Sequence, residues 1–406
     1  MNGDESIIQT VKNGILSRLE YSGDVSDEDL QEMIGDELKN LAATMHIPVR
    51  KRIELVKRIY HSMRKLDILE DFIADEDITE IMVNGPDNIF YEKKGRLYKS
   101  EQRFESKEIL ESIIQQIVAR CNRVVNESSP IVDARLMDGS RVNVVLAPIA
   151  INGPILTIRR FPKKPFLMDD LVRIGSLPSD VASYLRDMVI AGYNIIISGG
   201  TGSGKTTFLN ALSSYIPSDE RIITIEDSAE LQIQGIDNLV SMETKNANTE
   251  GCKPITIRDL IKSSLRMRPT RIVVGECRGG EAMDMICSAM NCGHDGSMST
   301  VHANSAYDSL ARLETMILMA AELPVHAIRR QIASGVDIII QLGRLRDKSR
   351  RVLEIVELLD YRDGEIEVNP LYQFREDDYR DNHVIGHLEK VGELEHVAKL
   401  RNAGIS

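Results

Sequence analysis

The spacing of apolar positions changes along the chain and divides it into regions of different structure. Residues 1–70 carry apolar side chains at helical spacing, as at Leu55 and Ile59, and Pro48 is placed to start that helix. The stretch from Ser22 to Glu37 is strongly acidic, and we expect it to be mobile or solvated. The first region is therefore predicted to be helical.

Residues 71–161 follow a different pattern, in which short apolar runs alternate with polar positions and turn residues. A helix is predicted from Ser106 to about Cys121. A hairpin is predicted from Ile131 to Leu136 and from Val142 to Leu146, around an Asp-Gly turn. The pattern predicts a small mixed α+β domain.

Residues 162–166 contain two prolines and two lysines and are predicted to form an interdomain linker. Residues 167–360 then alternate short apolar runs with helical patterns, which is typical of an α/β sheet covered by helices on both faces. Residues 361–406 are charged and show no clear period, and we interpret them as a C-terminal tail. The strands are predicted at Ile195–Ile197, Ile222–Ile225, Ile272–Val274, Ser297–Val301 and Ile338–Ile340.

Composition narrows the class of protein. The 406 residues have a net charge of -12 and 4% aromatic residues, which disfavours a protein that wraps or stacks on nucleic acid. The five cysteines form no C-x-x-C pair, and the acidic, polar start does not resemble a secretory leader. We therefore expect a cytoplasmic protein without a transmembrane segment, whose membrane association is peripheral.

The strongest motif is a glycine-rich segment that fits G-x-x-x-x-G-K-[ST] at every fixed position. An apolar strand precedes it and a helical pattern follows it, as the motif requires. Glycines let the backbone N–H groups wrap a phosphate, the lysine adds a positive charge, and Thr206 offers a hydroxyl to Mg²⁺. The residues expected to bind ATP are Gly199, Gly200, Thr201, Gly202, Ser203, Gly204, Lys205, Thr206 and Thr207.

Carboxylates follow two of the other predicted strands. Glu276 ends the apolar run that begins at Arg271, and we expect that strand beside the loop strand, where Glu276 would orient an attacking water. Glu226, Asp227 and Glu230 crowd a second strand end. Their mutual repulsion would be relieved by a nearby cation such as Mg²⁺. The alternative for this cluster is a solvated acidic loop.

Two histidines and several arginines complete the candidate chemistry. His302 follows the run Ser297–Val301, where it could contact the γ-phosphate, whereas His294 lies before that run. For both histidines the alternative is an ordinary satisfied polar residue. For each candidate arginine, a surface ion pair is an equally compatible interpretation. The candidates are Arg135, Arg141, Arg159 and Arg160 in the small domain and Arg266, Arg268 and Arg278 in the large one.

These motifs occur together in one known family. The chain resembles secretion ATPases of the type II/type IV superfamily, in the CpaF/TadA branch that serves Flp (tight-adherence) pilus assembly. Four segments resemble the family's Walker A, aspartate, Walker B and histidine boxes: Gly199–Thr206, Ile223–Leu231, Leu265–Ala282 and Gly293–Asn304. The segments TEIMVNGP, ESSPIVDARLMDGSRVN and LTIRRF resemble the small domain of that branch. A C-x-x-C zinc insertion, typical of many relatives, is missing.

The resemblance implies a homohexameric ring of RecA-like domains that uses ATP and Mg²⁺. It implies that the nucleotide binds between the two domains of each subunit. It implies that Glu276 is the catalytic glutamate, that Glu226 and Glu230 act in the aspartate box, and that His302 couples nucleotide state to domain motion. Arg135, Arg141, Arg159 and Arg160 match the arginines expected to reach the phosphates. It also implies an inner-membrane platform protein as the partner.

The sequence leaves three functional hypotheses open. The first is an ATP-driven motor for pilus assembly or protein secretion. The second is a non-hydrolysing, nucleotide-gated scaffold of the same machine, which the intact Lys205, Thr206 and Glu276 disfavour. The third is a nucleic-acid motor, which the acidic composition disfavours.

Overall fold

The chain forms two compact units, Met1–Pro162 and Lys163–Ser406, in a computed structural model. The structure describes residues 7–8, 10–15, 26–42, 45, 47–64, 66–93, 95–121, 123–136, 138–160, 164–245 and 253–405. Residues 162 and 163 of the predicted linker lie outside the described residues. No helix among these described ranges is both long and apolar enough to span a membrane.

The first unit begins with helices, as the sequence predicts. Asp27–Ala42 and Val49–Arg64 are helices, and the second starts directly after Pro48. In the acidic segment, residues 27–37 belong to the first helix, and Leu30 and Ile34 are buried on one face of that helix. Its acidic residues lie on the other positions, which is an ordinary amphipathic arrangement.

The rest of the first unit is a six-stranded antiparallel sheet, in the order β3-β2-β1-β6-β5-β4. The helix predicted after Ser106 is present, and the Ser106 hydroxyl accepts a hydrogen bond from the Ile109 amide at 3.3 Å. The strands are β1 Ile78–Asn84, β2 Ile89–Lys93, β3 Arg96–Lys99, β4 Ile131–Arg135, β5 Arg141–Val145 and β6 Ile155–Arg159, with helices Leu69–Ala74 and Lys107–Arg120.

The second unit contains a nine-stranded sheet in the order β15-β14-β13-β12-β7-β11-β10-β8-β9. Its strands are β7 Ile195–Gly199, β8 Ile222–Glu226, β9 Leu239–Glu243, β10 Arg271–Cys277, β11 Met298–Val301, β12 Ile338–Arg344, β13 Arg350–Arg362, β14 Glu365–Arg380 and β15 His383–Lys390. Its helices are Met168–Arg173, Ser179–Ile190, Lys205–Ser213, Ile257–Ser264, Glu281–Met283, the π-helical turn Asp284–Met290, Ala306–Ala320, Val325–Gly335 and Ala398–Asn402.

Six neighbouring strands of this sheet, β12, β7, β11, β10, β8 and β9, are parallel. Two apolar clusters cover the two faces of the sheet. Strands β7, β8 and β11 are buried at every position. Burial on both faces explains why the sequence presents these strands as continuous apolar runs. The predicted α/β fold class, a RecA-like domain preceded by a small α+β domain and a helical region, is confirmed.

The interpretation of residues 361–406 as a tail is wrong. Strands β14 and β15 extend the large sheet through antiparallel pairing with β13. The buried carboxylate of Glu357 on β13 accepts hydrogen bonds from the amides of Glu395 and His396 at 2.9 and 2.7 Å. Most positions of these two strands are exposed or half-buried and many carry charges, so they contain no long apolar run that would predict them.

Candidate nucleotide site

The parallel strands bring the predicted site residues to one edge of the sheet. Val301 of β11 pairs with Ser198 of β7, so that His302 lies beside the start of the glycine-rich loop. The expectation that the strand of Glu276 lies directly beside the loop strand is wrong, because β11 lies between β10 and β7. The carboxyl ends of parallel strands are the usual place for ligand sites in such sheets.

The glycine-rich loop has the conformation that its sequence requires. Gly202 and Gly204 have φ of 70° and 94°, a region that residues with a side chain rarely adopt. A Cβ on Gly199 would lie 2.5 Å from Ser203 Oγ and 2.8 Å from the Leu342 carbonyl. The loop is therefore packed tightly against β12 as well as folded on itself.

The helix Lys205–Ser213 starts at the end of this loop, so its N-terminal N–H groups and positive dipole end face the loop. Lys205 Nζ donates to the carbonyls of Gly199 and Gly200 at 3.0 and 3.2 Å. Thr206 and Thr207 occupy the first turn of the helix. These groups fit a nucleoside triphosphate, because they combine backbone amides, a lysine and a hydroxyl suited to Mg²⁺.

Glu276 lies near the end of β10 and is ion-paired. Its Oε2 accepts from Arg278 Nη2 at 2.7 Å and from Arg278 Nε at 2.9 Å. Arg278 Nη1 also lies 3.6 Å from Asp227 Oδ2 at the end of β8. The arginine therefore neutralises carboxylates from two strand ends and lies next to the proposed general base.

Glu226 was expected to lie near a bound cation, but its carboxylate contacts backbone amides. It is 3% exposed, and its carboxylate accepts the amides of Glu230 and Leu231 at 2.9 and 3.0 Å. A Cβ on Gly275 would lie 2.9 Å from Glu226 Cγ, so a glycine is needed there. Within the described residues, no group of three His, Cys, Asp or Glu side chains could hold a metal ion. Glu226 thus orders the turn through Glu230, and Arg278 provides the nearby positive charge.

The two histidines lie at opposite ends of β11. His302 is exposed directly after the strand, at the edge that carries the loop. His294 precedes the strand, and its Nδ1 lies 3.1 Å from the carbonyl of Pro269, which precedes β10. His294 therefore lies at the edge opposite the glycine-rich loop, whereas His302 shares the edge of the loop.

The small-domain arginines separate into two groups. Arg135, Arg141 and Arg159 pair across β4, β5 and β6 and form one row on the same face of the sheet. Arg160 instead donates to the carbonyls of Asp75 at 2.5 Å and Ile78 at 3.3 Å in its own unit. Arg160 therefore contacts the turn before β1 in its own unit, and its assignment to the phosphates stays a prediction.

Two arginines at the loop were missed by the sequence analysis. Arg350 Nε donates to the carbonyl of Gly202 at 2.8 Å. Arg344 Nη1 lies 3.8 Å from the position of a Cβ built on Gly202. Arg344 ends β12, which pairs with the loop strand β7, and Arg350 is its cross-strand partner at the start of β13. The run Ile338–Ile340 was recognised as a strand, but its neighbour in the sheet was not.

The fold and the site together define a RecA-like P-loop nucleotide-binding protein. Residues 62–380 match the family described as "Type II/IV secretion system protein", and the chain belongs to that family. The chain is 32% identical over 335 residues to the conjugal transfer protein TrbB of Rhizobium radiobacter, covering 82% of this chain and 98% of the relative.

A second relative supports the same family, and one solved structure shows the same fold. The chain is 33% identical over 326 residues to the type IV secretion system protein PtlH of Bordetella pertussis, covering 74% of this chain and 94% of the relative. The solved structure of the Legionella pneumophila ATPase DotB matches with a TM-score of 0.51 at 22% identity, covering 71% of this chain and 79% of DotB. The latter similarity confirms the fold.

Proposed function

We propose that this chain is a Mg²⁺-dependent ATP hydrolase that works as a motor for pilus assembly or protein secretion. The observation that carries the proposal is that three neighbouring strands of the sheet, β7, β11 and β10, end at the same edge. They carry the P-loop, His302 and the carboxylate of Glu276, respectively. Lys205 and the loop amides would bind the phosphates, and Thr206 would hold Mg²⁺. Glu276 would orient the attacking water once Arg278 releases it.

The motor is proposed to act as a homohexameric ring in the cytoplasm, docked on inner-membrane platform proteins. Family membership and the names of TrbB and PtlH, which belong to transfer and secretion systems, support this role. The CpaF/TadA branch is proposed from the small-domain segments and from the missing C-x-x-C insertion. Arg135, Arg141 and Arg159 are proposed to reach the phosphates, because they present three cations in one row.

The test is ATP turnover of the purified full chain with Mg²⁺ at several protein concentrations, beside Glu276→Gln. We expect turnover per subunit to rise with concentration as rings form. The glutamine variant should bind ATP but lose at least 100-fold in turnover, because the loss of a general base costs about that much. Tight binding without turnover in the parent at every concentration would support the non-hydrolysing scaffold instead.

The nucleic-acid motor is tested separately, by DNA binding across a salt series. Phosphate-backbone binding weakens steeply as salt rises. We expect no salt-sensitive binding, because the net charge is -12. A salt-sensitive affinity for DNA would revive that hypothesis.

A further inference from the structure

The tip of the β12–β13 hairpin, residues 344–351, carries two arginines that face each other. Arg344 and Arg350 form a cross-strand pair, so their side chains lie on the same face of the hairpin. Like charges directly opposite each other are unfavourable in a sheet, and a nearby acceptor or anion relieves the repulsion. The main chain of the P-loop offers one such acceptor, the carbonyl of Gly202.

Arg350 contacts the P-loop at two points. Its Nε donates to the carbonyl of Gly202 at 2.8 Å, and its Cδ lies 3.4 Å from the position of a Cβ built on Gly204. A hydrogen bond from a charged donor to a loop carbonyl fixes the plane of that peptide. The fixed peptide joins Gly202 to Ser203, within the segment whose amides would cradle the phosphates.

The main chain under Arg350 is anchored. The Arg350 carbonyl accepts from Ser176 Oγ at 2.9 Å, and the Val352 amide donates to the Ser176 carbonyl at 2.9 Å. A register shift between Gln341 and Leu342 of β12 leaves Leu353 as an extra residue on β13, between Val352 and Glu354. Between this bulge and the hairpin tip the register is regular, from Leu342 opposite Val352 to Arg344 opposite Arg350.

Three other residues of the tip contact the C-terminal hairpin, β14–β15. Asp347 Oδ2 accepts from the Val384 amide at 2.8 Å, and Arg351 Nη2 donates to the Val384 carbonyl at 3.0 Å. Arg346 lies 4.2 Å from the centre of the Tyr379 ring and pairs with Glu376. The tip therefore bridges the P-loop and the C-terminal hairpin.

We propose that Arg350 is a positioning residue of the nucleotide site, and that the β14–β15 hairpin holds it in place through the hairpin tip. The C-terminal strands are then part of the nucleotide-binding unit. Arg350 acts through the Gly202 carbonyl, so its removal weakens nucleotide binding and leaves the chemical step little changed. This inference rests on the proposed ATP binding.

The test measures ATP affinity and steady-state turnover of the full chain with Arg350→Ala. Loss of one charge-assisted hydrogen bond at an exposed site predicts about a fivefold rise in Kd and in KM, with kcat within about twofold. Arg350→Lys keeps a donor and is expected to recover part of the affinity. Arg186→Ala is the matched control, because Arg186 lies on the helix Ser179–Ile190 and pairs with Asp187 of the same helix.

Three outcomes overturn the inference. The first is an unchanged Kd and KM in Arg350→Ala. The second is a fall in kcat alone. The third is a loss of affinity that parallels a loss of thermal stability without nucleotide and that Arg350→Lys does not reverse. If Arg350→Ala does not fold, Arg350→Lys and Arg350→Gln give the same comparison. A parent chain that binds no ATP contradicts the proposed function as well, which separates the two failures.

Discussion

The parallel centre of the large sheet and its antiparallel extension contribute to the site in different ways. The strands β7, β8 and β11 are buried on both faces, and their ends carry the P-loop, Glu226 and His302. The strands β14 and β15 are largely exposed, yet they hold the hairpin tip that contacts the loop. Groups proposed to touch the nucleotide thus come from the centre, and support for the loop comes from the extension.

The largest effect is expected at the centre, with Lys205→Ala. Lys205 Nζ donates to the carbonyls of Gly199 and Gly200 at 3.0 and 3.2 Å, so its charge lies within the loop proposed to bind the phosphates. Removal of a charge that contacts the phosphates should weaken ATP binding at least 100-fold, since such charged interactions contribute about 3 kcal/mol. Titration with a fluorescent ATP analogue measures it.

The matched control for this prediction is Lys390→Ala on β15, where the lysine pairs with Glu393. A surface ion pair of this kind contributes little, so its affinity should match that of the parent. Equal affinity of Lys205→Ala and the control would show that the P-loop is not the nucleotide site.

The difference between the two regions also explains what the sequence could predict. The apolar run Ile195–Ile197 and the motif after it identify the loop from neighbouring residues alone. The contact of Arg350 with Gly202 joins positions 148 residues apart and depends on which strand lies beside β7. Local periodicity carries no information on strand order, and for the same reason the position of β11 between β7 and β10 was missed.

The side chains show the same limit. Glu226 was recognised as a strand-end carboxylate, but its bonds to backbone amides depend on a turn that local pattern does not specify. Arg160 was assigned by resemblance to the phosphates, and no local pattern predicts its bond to the carbonyl of Asp75 in its own unit. The motifs therefore located the edge of the sheet that carries the site, and tertiary packing decided the role of each residue.

A smaller effect, on stability, is expected from Glu357→Ala at the junction of the two regions. Glu357 is 1% exposed and accepts three hydrogen bonds, from Asn369, Glu395 and His396. Its loss leaves these donors without their acceptor and should lower the free energy of unfolding by about 2 kcal/mol. Urea unfolding followed by circular dichroism measures the difference.

The control for Glu357 is Glu367→Ala, an exposed carboxylate on β14 that lies 3.8 Å from Arg362. We expect a change below about 0.5 kcal/mol there, as for most surface substitutions. If the two variants are equally stable, the junction does not hold the C-terminal residues, and the extension is independent of the centre.

The smallest expected effect is the pH dependence of the contact between the hairpin tip and β15. Burial alone would raise the pKa of Asp347, but the hydrogen bonds from Ser349 and the Val384 amide, with the charge of Arg351, lower that pKa to about 2. A carboxyl with a lowered pKa in the folded state stabilises the fold above its unfolded value of 3.8. That contribution is lost as the pH falls through about 2.

The stability difference between the parent chain and Asp347→Ala should therefore be constant above about pH 5 and shrink between pH 4 and pH 2. Urea unfolding at a series of pH values measures this difference. A difference that does not depend on pH would mean that the ionised carboxylate of Asp347 does not hold Val384. The extension would then have to support the P-loop through Arg346 and Arg351 alone.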